Sequence, residues 1–251
     1  MFTKHTASAL ALAAAAALTL VACGGDDDDS APPAPCQGAG CGGGDSGTAA
    51  IQPARLDLDV REEMLKPGAT VSLQVGVEDG WGRDVSALSA ANVQVGITGD
   101  TTGGARLSAT QLSTQRGEAN FSITLGSNLG TVIVKASADR LDNNIANGIA
   151  DELARQLGMV VTQQGGGLNW ELPTEVFVSS GQTLRLDDAD DGRKPRSYAV
   201  TGAGGLTLAE CGDDVCLTVP AGAAHGSHNA TFTVRDAAGS TLSMPVTVVV
   251  N

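Results

Sequence analysis

From Leu56 onward, apolar residues recur at every second position in short runs. Leu56, Leu58 and Val60 alternate with Asp57 and Asp59, and Val71, Leu73, Val75 and Val77 follow with Ser72, Gln74 and Gly76 between them. Val93, Val95 and Ile97 repeat the pattern, then Phe121, Ile123 and Leu125, then Val132 and Val134. A period of two puts one set of side chains on a single face, so each run predicts a half-buried strand. Breakers separate the runs: Lys66-Pro67-Gly68, Asp79-Gly80-Trp81-Gly82, Thr102-Gly103-Gly104, Gly117, and the stretch from Gly126 to Gly130. Short alternating runs with turn signals at this spacing predict an antiparallel sandwich with one buried face per sheet.

Residues 139–158 break that alternation. Ile145, Ile149, Leu153 and Leu157 recur every four residues, with Ala146, Ala150 and Ala154 beside them. Such spacing lines one face of a helix, and Gly148 confines the expected helix to residues 149–157. Residues 159–162 are expected as the last strand of a first module. Gln163-Gln164-Gly165-Gly166-Gly167 reads as a hinge. Beyond it, residues 175–178, 183–186, 197–201, 206–210, 215–219, 230–235 and 241–250 form a second set of strand-like runs. The expected fold class is all-β: two tandem antiparallel sandwiches over 51–165, with the helical insert at 139–158, and over 168–251.

The first fifty residues follow another grammar. Lys4 and His5 precede an apolar run from Ala9 to Ala22 broken only by Thr19. That is the form of an export signal over residues 1–22, shorter than the ~20 apolar residues a spanning helix needs. It ends Leu20-Val21-Ala22-Cys23, which resembles the lipobox of bacterial lipoproteins. The resemblance implies cleavage before Cys23, a diacylglycerol thioether on its sulfur and an acyl chain such as palmitate on its amino group. It also implies an outer-membrane address, because Gly24 rather than Asp follows the cysteine. Residues 23–50 hold Asp26 to Asp29, Ala31-Pro32-Pro33-Ala34-Pro35 and many glycines. Such a segment has too little apolar surface to fold alone and is expected as an acidic, extended tether.

Several stretches carry a family likeness. Lys66-Pro67-Gly68-Ala69-Thr70-Val71, the turn from Glu78 to Val85, Gly117-Glu118-Ala119-Asn120-Phe121-Ser122-Ile123 and the run from Gly130 to Ala138 resemble bacterial Ig-like domains of the invasin and intimin type over residues 51–138. Tyr198-Ala199-Val200-Thr201-Gly202, Leu206-Thr207-Leu208, Pro220-Ala221-Gly222 and the stretch from Thr231 to Gly239 resemble the cadherin-like Ig modules of bacterial surface proteins. The insert after Ala138, the second cysteine pair and the charged 187–196 loop depart from those patterns. The resemblance implies Ig-like sandwiches and a non-enzymatic role in surface presentation, adhesion or protein–protein interaction, with an unidentified protein or glycan partner. A structural or assembly component facing the periplasm is the alternative.

Composition narrows this further. Hydrophobic residues make up 42 % of the 251, but aromatics only 3 %, so the cores are expected to consist of Val, Leu, Ile and Ala. Fifteen Lys and Arg against 28 Asp and Glu give a net charge of −13, the wrong sign for phosphate neutralisation, so no nucleic-acid partner is expected. With Cys23 lipidated, four cysteines remain as two close pairs, Cys36 with Cys41 and Cys211 with Cys216. An even count in an exported chain makes them disulfide candidates, local pairing being the simplest of three connectivities. Their spacing does not suit zinc. No nucleophile elbow, metalloprotease helix motif or phosphate loop occurs, so no catalytic residue, cofactor or metal is expected. His225 and His228 share one short turn. Asp187, Asp188, Asp190 and Asp191 are offset by Arg193, Lys194 and Arg196 and read as a solvated loop. Trp81, between two glycines at an expected hairpin tip, is the candidate ligand contact, either open to a partner or folded over the end of its own sandwich.

Overall fold

The computed structural model describes residues 52–61 and 64–251. The lipidation candidate Cys23, the 23–50 tether, and the disulfide candidates Cys36 and Cys41 lie outside the described residues. Alternation in the first module becomes two facing sheets. One holds β1 (Arg55–Val60), β2 (Thr70–Glu78), β6 (Glu118–Thr124) and β4 (Arg106–Leu107) in that order. The other holds β5 (Gln111–Leu112), β3 (Val93–Asp100), β7 (Gly130–Asp139), β8 (Glu152–Val161) and β9 (Asn169–Pro173). Leu56, Leu58, Val71, Leu73, Val75, Phe121 and Ile123 of the first sheet share one core with Val93, Val95, Val132, Val134 and Ala136 of the second. Each buried Leu or Val contributes about 1.5–3 kcal/mol, and the alternate positions are mostly polar or partly exposed, which is why the period survives in the sequence. The strand order is that of an Ig-like sandwich, with β1, β2, β6 and β4 taking the A, B, E and D places and β3, β7 and β8 the C, F and G places.

The second sandwich sets β10 (Glu175–Val178), β16 (Thr241–Val250), β15 (Gly226–Arg235) and β12 (Ser197–Thr201) against β11 (Thr183–Leu186), β14 (Asp214–Thr218) and β13 (Thr207–Cys211). Short β10 runs parallel to β16, and the other pairs are antiparallel. Phe232, Val234, Leu242, Met244 and Val248 meet Leu208, Val215 and Leu217, and the core is closed by Leu168, Trp170 and Leu172 from β9 and the chain leading into it.

The helix expected over residues 149–157 is not formed, and no helix occurs among the described residues. Residues 152–161 are β8, paired with β7 from Asp139↔Glu152 to Gly130↔Val161. A spacing of four is also twice the strand period, so Leu153, Leu157, Met159 and Val161 fall on one face, against the first core. The opposite face is buried too: Val160 belongs to the second core, and a Cβ on Gly158 would stand 2.7 Å from Leu242 and from Met244. With apolar residues required on both faces, the alternation is lost and a helical spacing emerges by coincidence. Residues 140–151 are instead a loop held by side-chain caps. Asp139 accepts hydrogens from the amides of Leu141, Ala150 and Asp151, and Asp142 from that of Asn144.

The segment read as a hinge is the turn of the β8–β9 hairpin. Val160 N donates to Leu168 O at 2.8 Å and Thr162 Oγ1 to Gly165 O at 3.0 Å. One continuous sheet therefore runs out of the first sandwich into the base of the second, and the two cores are welded rather than strung.

Of the two expected cysteine pairs, one is described. Cys211 and Cys216 are joined by a disulfide across the β13–β14 hairpin, with Cα atoms 5.7 Å apart. The pairing expected between Cys36 and Cys41 falls on residues outside the description, so the structure bears on the second pair alone. The loop closed by the observed bridge spans a sequence separation of 5. Replacing both Cys211 and Cys216 by serine is expected to cost about 2 kcal/mol through the freed entropy of the unfolded chain, read as a lower urea midpoint.

Candidate interaction surface

The loop joining β2 to β3 is organised from inside by Asp79. Its Oδ1 accepts the amide hydrogens of Trp81 at 2.8 Å and Arg83 at 2.9 Å, while Oδ2 accepts from Arg83 Nε at 2.6 Å. Burial pushes the Asp79 carboxyl up, but these hydrogen bonds outweigh it and hold it below the ordinary carboxylate value. Gly82 supplies the positive φ of 73° that the turn needs. With backbone and flanks so fixed, the indole is left outside: Trp81 is 85 % exposed. Of its two expected placements, the open one is found.

Trp81 rims a shallow hollow with Pro53, Ala54, Arg83, Arg140 and Leu141. Leu141, at the start of the β7–β8 loop, is 60 % exposed and its carbonyl accepts from Gln52 Nε2 at 3.0 Å. A buried amide network stitches the two loops together. Asn143 Nδ2 donates to Ser86 O at 3.0 Å, and Asn92 Nδ2 donates to Asn143 Oδ1 at 2.9 Å and to Thr114 Oγ1 at 2.8 Å. Leu88, 80 % exposed, lies in the stitched β2–β3 loop. This end of the first sandwich thus offers Trp81, Leu88 and Leu141 to solvent on a frame held by satisfied buried polar groups. Large exposed apolar side chains on such a frame are what an interface presents at its centre. Isolated leucines in polar loops give no periodic signal, so Leu88 and Leu141 were not legible in the sequence.

A second concavity, of about 690 Å³, opens where β1 faces the β11–β12 loop and the β13–β14 turn. Asp57, Asp59, Glu171, Asp187, Asp190 and Asp214 are among the carboxylates lining it. Burial pushes the Asp190 and Asp59 carboxyls up, with neighbouring aspartates adding to the shift. The aspartate-rich loop is occupied by its own chain. Asp188 takes Arg196 Nη1 at 2.8 Å, Lys194 Nζ at 3.7 Å and the Tyr198 hydroxyl. Asp191 Oδ2 accepts from Asn169 Nδ2 at 2.8 Å. Among the described residues, no three His, Cys, Asp or Glu side chains are grouped to hold a metal ion. His228 Nε2 lies 2.8 Å from Ala224 O.

Arg155 and Glu171 close the seam beside this cleft. Strand β1 is the edge of its sheet, and two of its backbone groups are satisfied from the other sheet: Arg155 Nε donates to Leu56 O at 2.9 Å and Leu58 N to Glu171 Oε1 at 3.1 Å. A covered edge cannot template pairing with another chain.

No protein-family model matches the chain, and no curated protein sequence matches it. Solved structures do resemble it. The D0–D1 domain of intimin covers 77 % of this chain and 97 % of its own length, at 13 % identity and a TM-score of 0.35. A C-terminal 282-residue fragment of intimin, solved in complex with the intimin-binding domain of the translocated intimin receptor, covers 79 % at 14 % identity and a TM-score of 0.28; the chain spans 65 % of that fragment. An endo-fucoidan hydrolase of glycoside hydrolase family 107 covers 79 % at 17 % identity and a TM-score of 0.28, over 29 % of its own length. Matches at this level assign neither a ligand nor an activity to this chain.

Proposed function

We propose that this chain is a non-enzymatic envelope lipoprotein, anchored in the outer membrane through lipid on Cys23, whose welded Ig-like sandwiches present the Trp81 loops to a protein partner. The observation that carries this reading is the placement of Trp81. An indole costs free energy to leave in water, and here the turn beneath it is built by a buried carboxylate that fixes the backbone on both sides. The lipobox-like segment before Cys23 and the acidic, Pro-rich tether support the anchoring, since a tether of that composition stands the sandwiches off a bilayer. Within that tether we propose a small disulfide-closed loop between Cys36 and Cys41, as the export of such a chain favours. The welded seam supports presentation, because a stiff pair of modules loses less entropy on binding than two strung on a linker.

Trp81→Ala is the test. The side chain is almost wholly solvated, so the substitution is expected to change stability by less than about 0.5 kcal/mol. The full chain, immobilised and exposed to detergent-solubilised envelope extract, is expected to retain a partner that the Trp81→Ala chain loses by at least about tenfold, the scale of an interface hot spot. Equal capture by the two chains, at equal stability, overturns the reading.

A further inference from the structure

Glu171 stands where β1, β8 and β9 meet, with its side chain 17 % exposed. Its geometry is that of an acid with too little compensation. Oε1 accepts the Leu58 amide hydrogen at 3.1 Å. Arg155, from β8, approaches to 3.7 Å through Nε, yet the one hydrogen of that nitrogen is donated to Leu56 O at 2.9 Å. The guanidinium therefore attracts the carboxyl across space without giving it that hydrogen bond. The other groups facing it are mostly acids. Strand β1 contributes Asp57 and Asp59, with Arg55 held by Asp57 at 3.2 Å, and Arg61 just past its end also lines the cleft. The β11–β12 loop contributes Asp187, Asp188, Asp190 and Asp191, the β13–β14 turn Asp213, and the start of β14 Asp214. Arg196 and Lys194, in the loop, are engaged by Asp188.

We propose that Glu171 is a proton-operated latch between the two sheets of the first sandwich: protonated, it closes β1 against the β8–β9 hairpin, and its ionisation loosens that contact. A neutral carboxyl keeps an acceptor oxygen for Leu58 N and adds no charge to a cleft already lined with aspartates. A carboxylate in the same place is desolvated, faces Asp57 and Asp59, and has one cation at 3.7 Å. In keeping with this, burial pushes the Glu171 carboxyl up to about 8; Arg155 and the Leu58 hydrogen bond oppose the shift, Asp57 and Asp59 add to it, and burial outweighs the opposing contacts. The value in the folded chain lies above the ordinary 4.5, so the folded chain holds a proton that the unfolded chain releases. The stabilisation is complete below about pH 4.5 and is lost as the pH rises through about 8. Asp79, Asp100, Asp139 and Asp236 are held below their ordinary values, so their contribution is lost only as the pH falls into the acid range. The two effects have opposite signs in separate windows.

The test compares the full chain with Glu171→Gln in urea unfolding between about pH 5 and 9. In the parent chain the unfolding constant is expected to rise with pH by up to about tenfold per unit in the window below 8, the signature of one proton released on unfolding. Glu171→Gln, which keeps the acceptor and removes the charge, is expected to lack that component, and contributions common to both chains cancel in the difference. Hydrogen exchange at the Leu58 amide, corrected for intrinsic rate, is expected to lose protection over the same range in the parent chain only. Identical pH slopes in the two chains overturn the latch, as does Leu58 protection that stays constant with pH. Should Glu171→Gln fail to fold, a carbon NMR titration of the Glu171 carboxyl in the parent chain decides: a midpoint near 8 supports the latch, and one near 4.5 overturns it.

Discussion

Gly167→Ala is expected to destabilise the protein by roughly 3 kcal/mol or more, although a glycine in a run of three reads as linker. A Cβ at this position would stand 1.8 Å from the carbonyl oxygen of Val160 and 3.0 Å from its carbon. That carbonyl cannot retreat. Val160 is paired with Thr131 across β7–β8, and its own N–H is bonded to Leu168 O at 2.8 Å. Relief requires opening the β8–β9 turn, which breaks that bond and lifts Leu168 and Trp170 out of the second core. A flexible linker would respond with the opposite sign. There, alanine in place of glycine narrows the unfolded ensemble and stabilises by about 0.4–1 kcal/mol. Gly166 supplies the internal control: nothing lies within 4 Å of its added Cβ, but φ is +62°, so Gly166→Ala is expected to cost only the left-handed strain, about 1–2 kcal/mol. Urea unfolding followed by tryptophan fluorescence measures all three chains. A Gly167→Ala midpoint at or above the parent's would mean that the segment is a linker after all.

That contrast explains which parts of the fold the sequence disclosed. Strands β1, β2, β3, β6 and β7 were legible because apolar core residues alternate along each with residues that are mostly polar or less buried, so that Leu56-Asp57-Leu58-Asp59 states its own orientation. Strand β8 was not, because the first core covers Leu157 on one side while Leu242 and Met244 cover Gly158 on the other. Strand β9 is hidden for a related reason. It is five residues long, follows a glycine run, and pairs with β8 in the first sandwich's sheet while its Trp170 and Leu172 are buried in the second core. Of the candidate surface, Trp81 was legible as an aromatic between glycines, since a turn gives a large side chain little to pack against. The Asn92, Thr114 and Asn143 network that holds its platform joins residues 22 and 51 positions apart, and no local pattern marks such pairs. Glu171 was hidden most completely. In the sequence it is one acidic residue between Trp170 and Leu172, the wet position of an alternating strand, and only the approach of β1 turns that position into a buried one.

Trp170→Ala is expected to remove about 4 kcal/mol and to unfold the second sandwich first. The chain has two tryptophans, and structure divides their work. Trp170 is wholly buried, with its ring edge-on to Tyr198 at 5.4 Å and 64° and stacked on Phe232 at 6.5 Å and 30°. Its Nε1 donates to Asp187 O at 2.9 Å, which ties the aspartate-rich loop to the core. Truncation therefore leaves a cavity, removes two ring contacts and strands a carbonyl, and each of these adds to the loss. Trp170→Phe separates the parts: it keeps a ring against Tyr198 and Phe232 but gives up the hydrogen bond, at about 1–2 kcal/mol plus the smaller lost volume. Urea midpoints of the full chain, with Trp81→Ala as reference, provide the measurement. If Trp170→Ala costs no more than Trp81→Ala, the second core is not organised around this ring. If it costs the expected amount while Trp81→Ala leaves the fold intact, any loss of partner binding by the latter is a loss of contact and not of structure. The buried tryptophan thereby makes the exposed one interpretable.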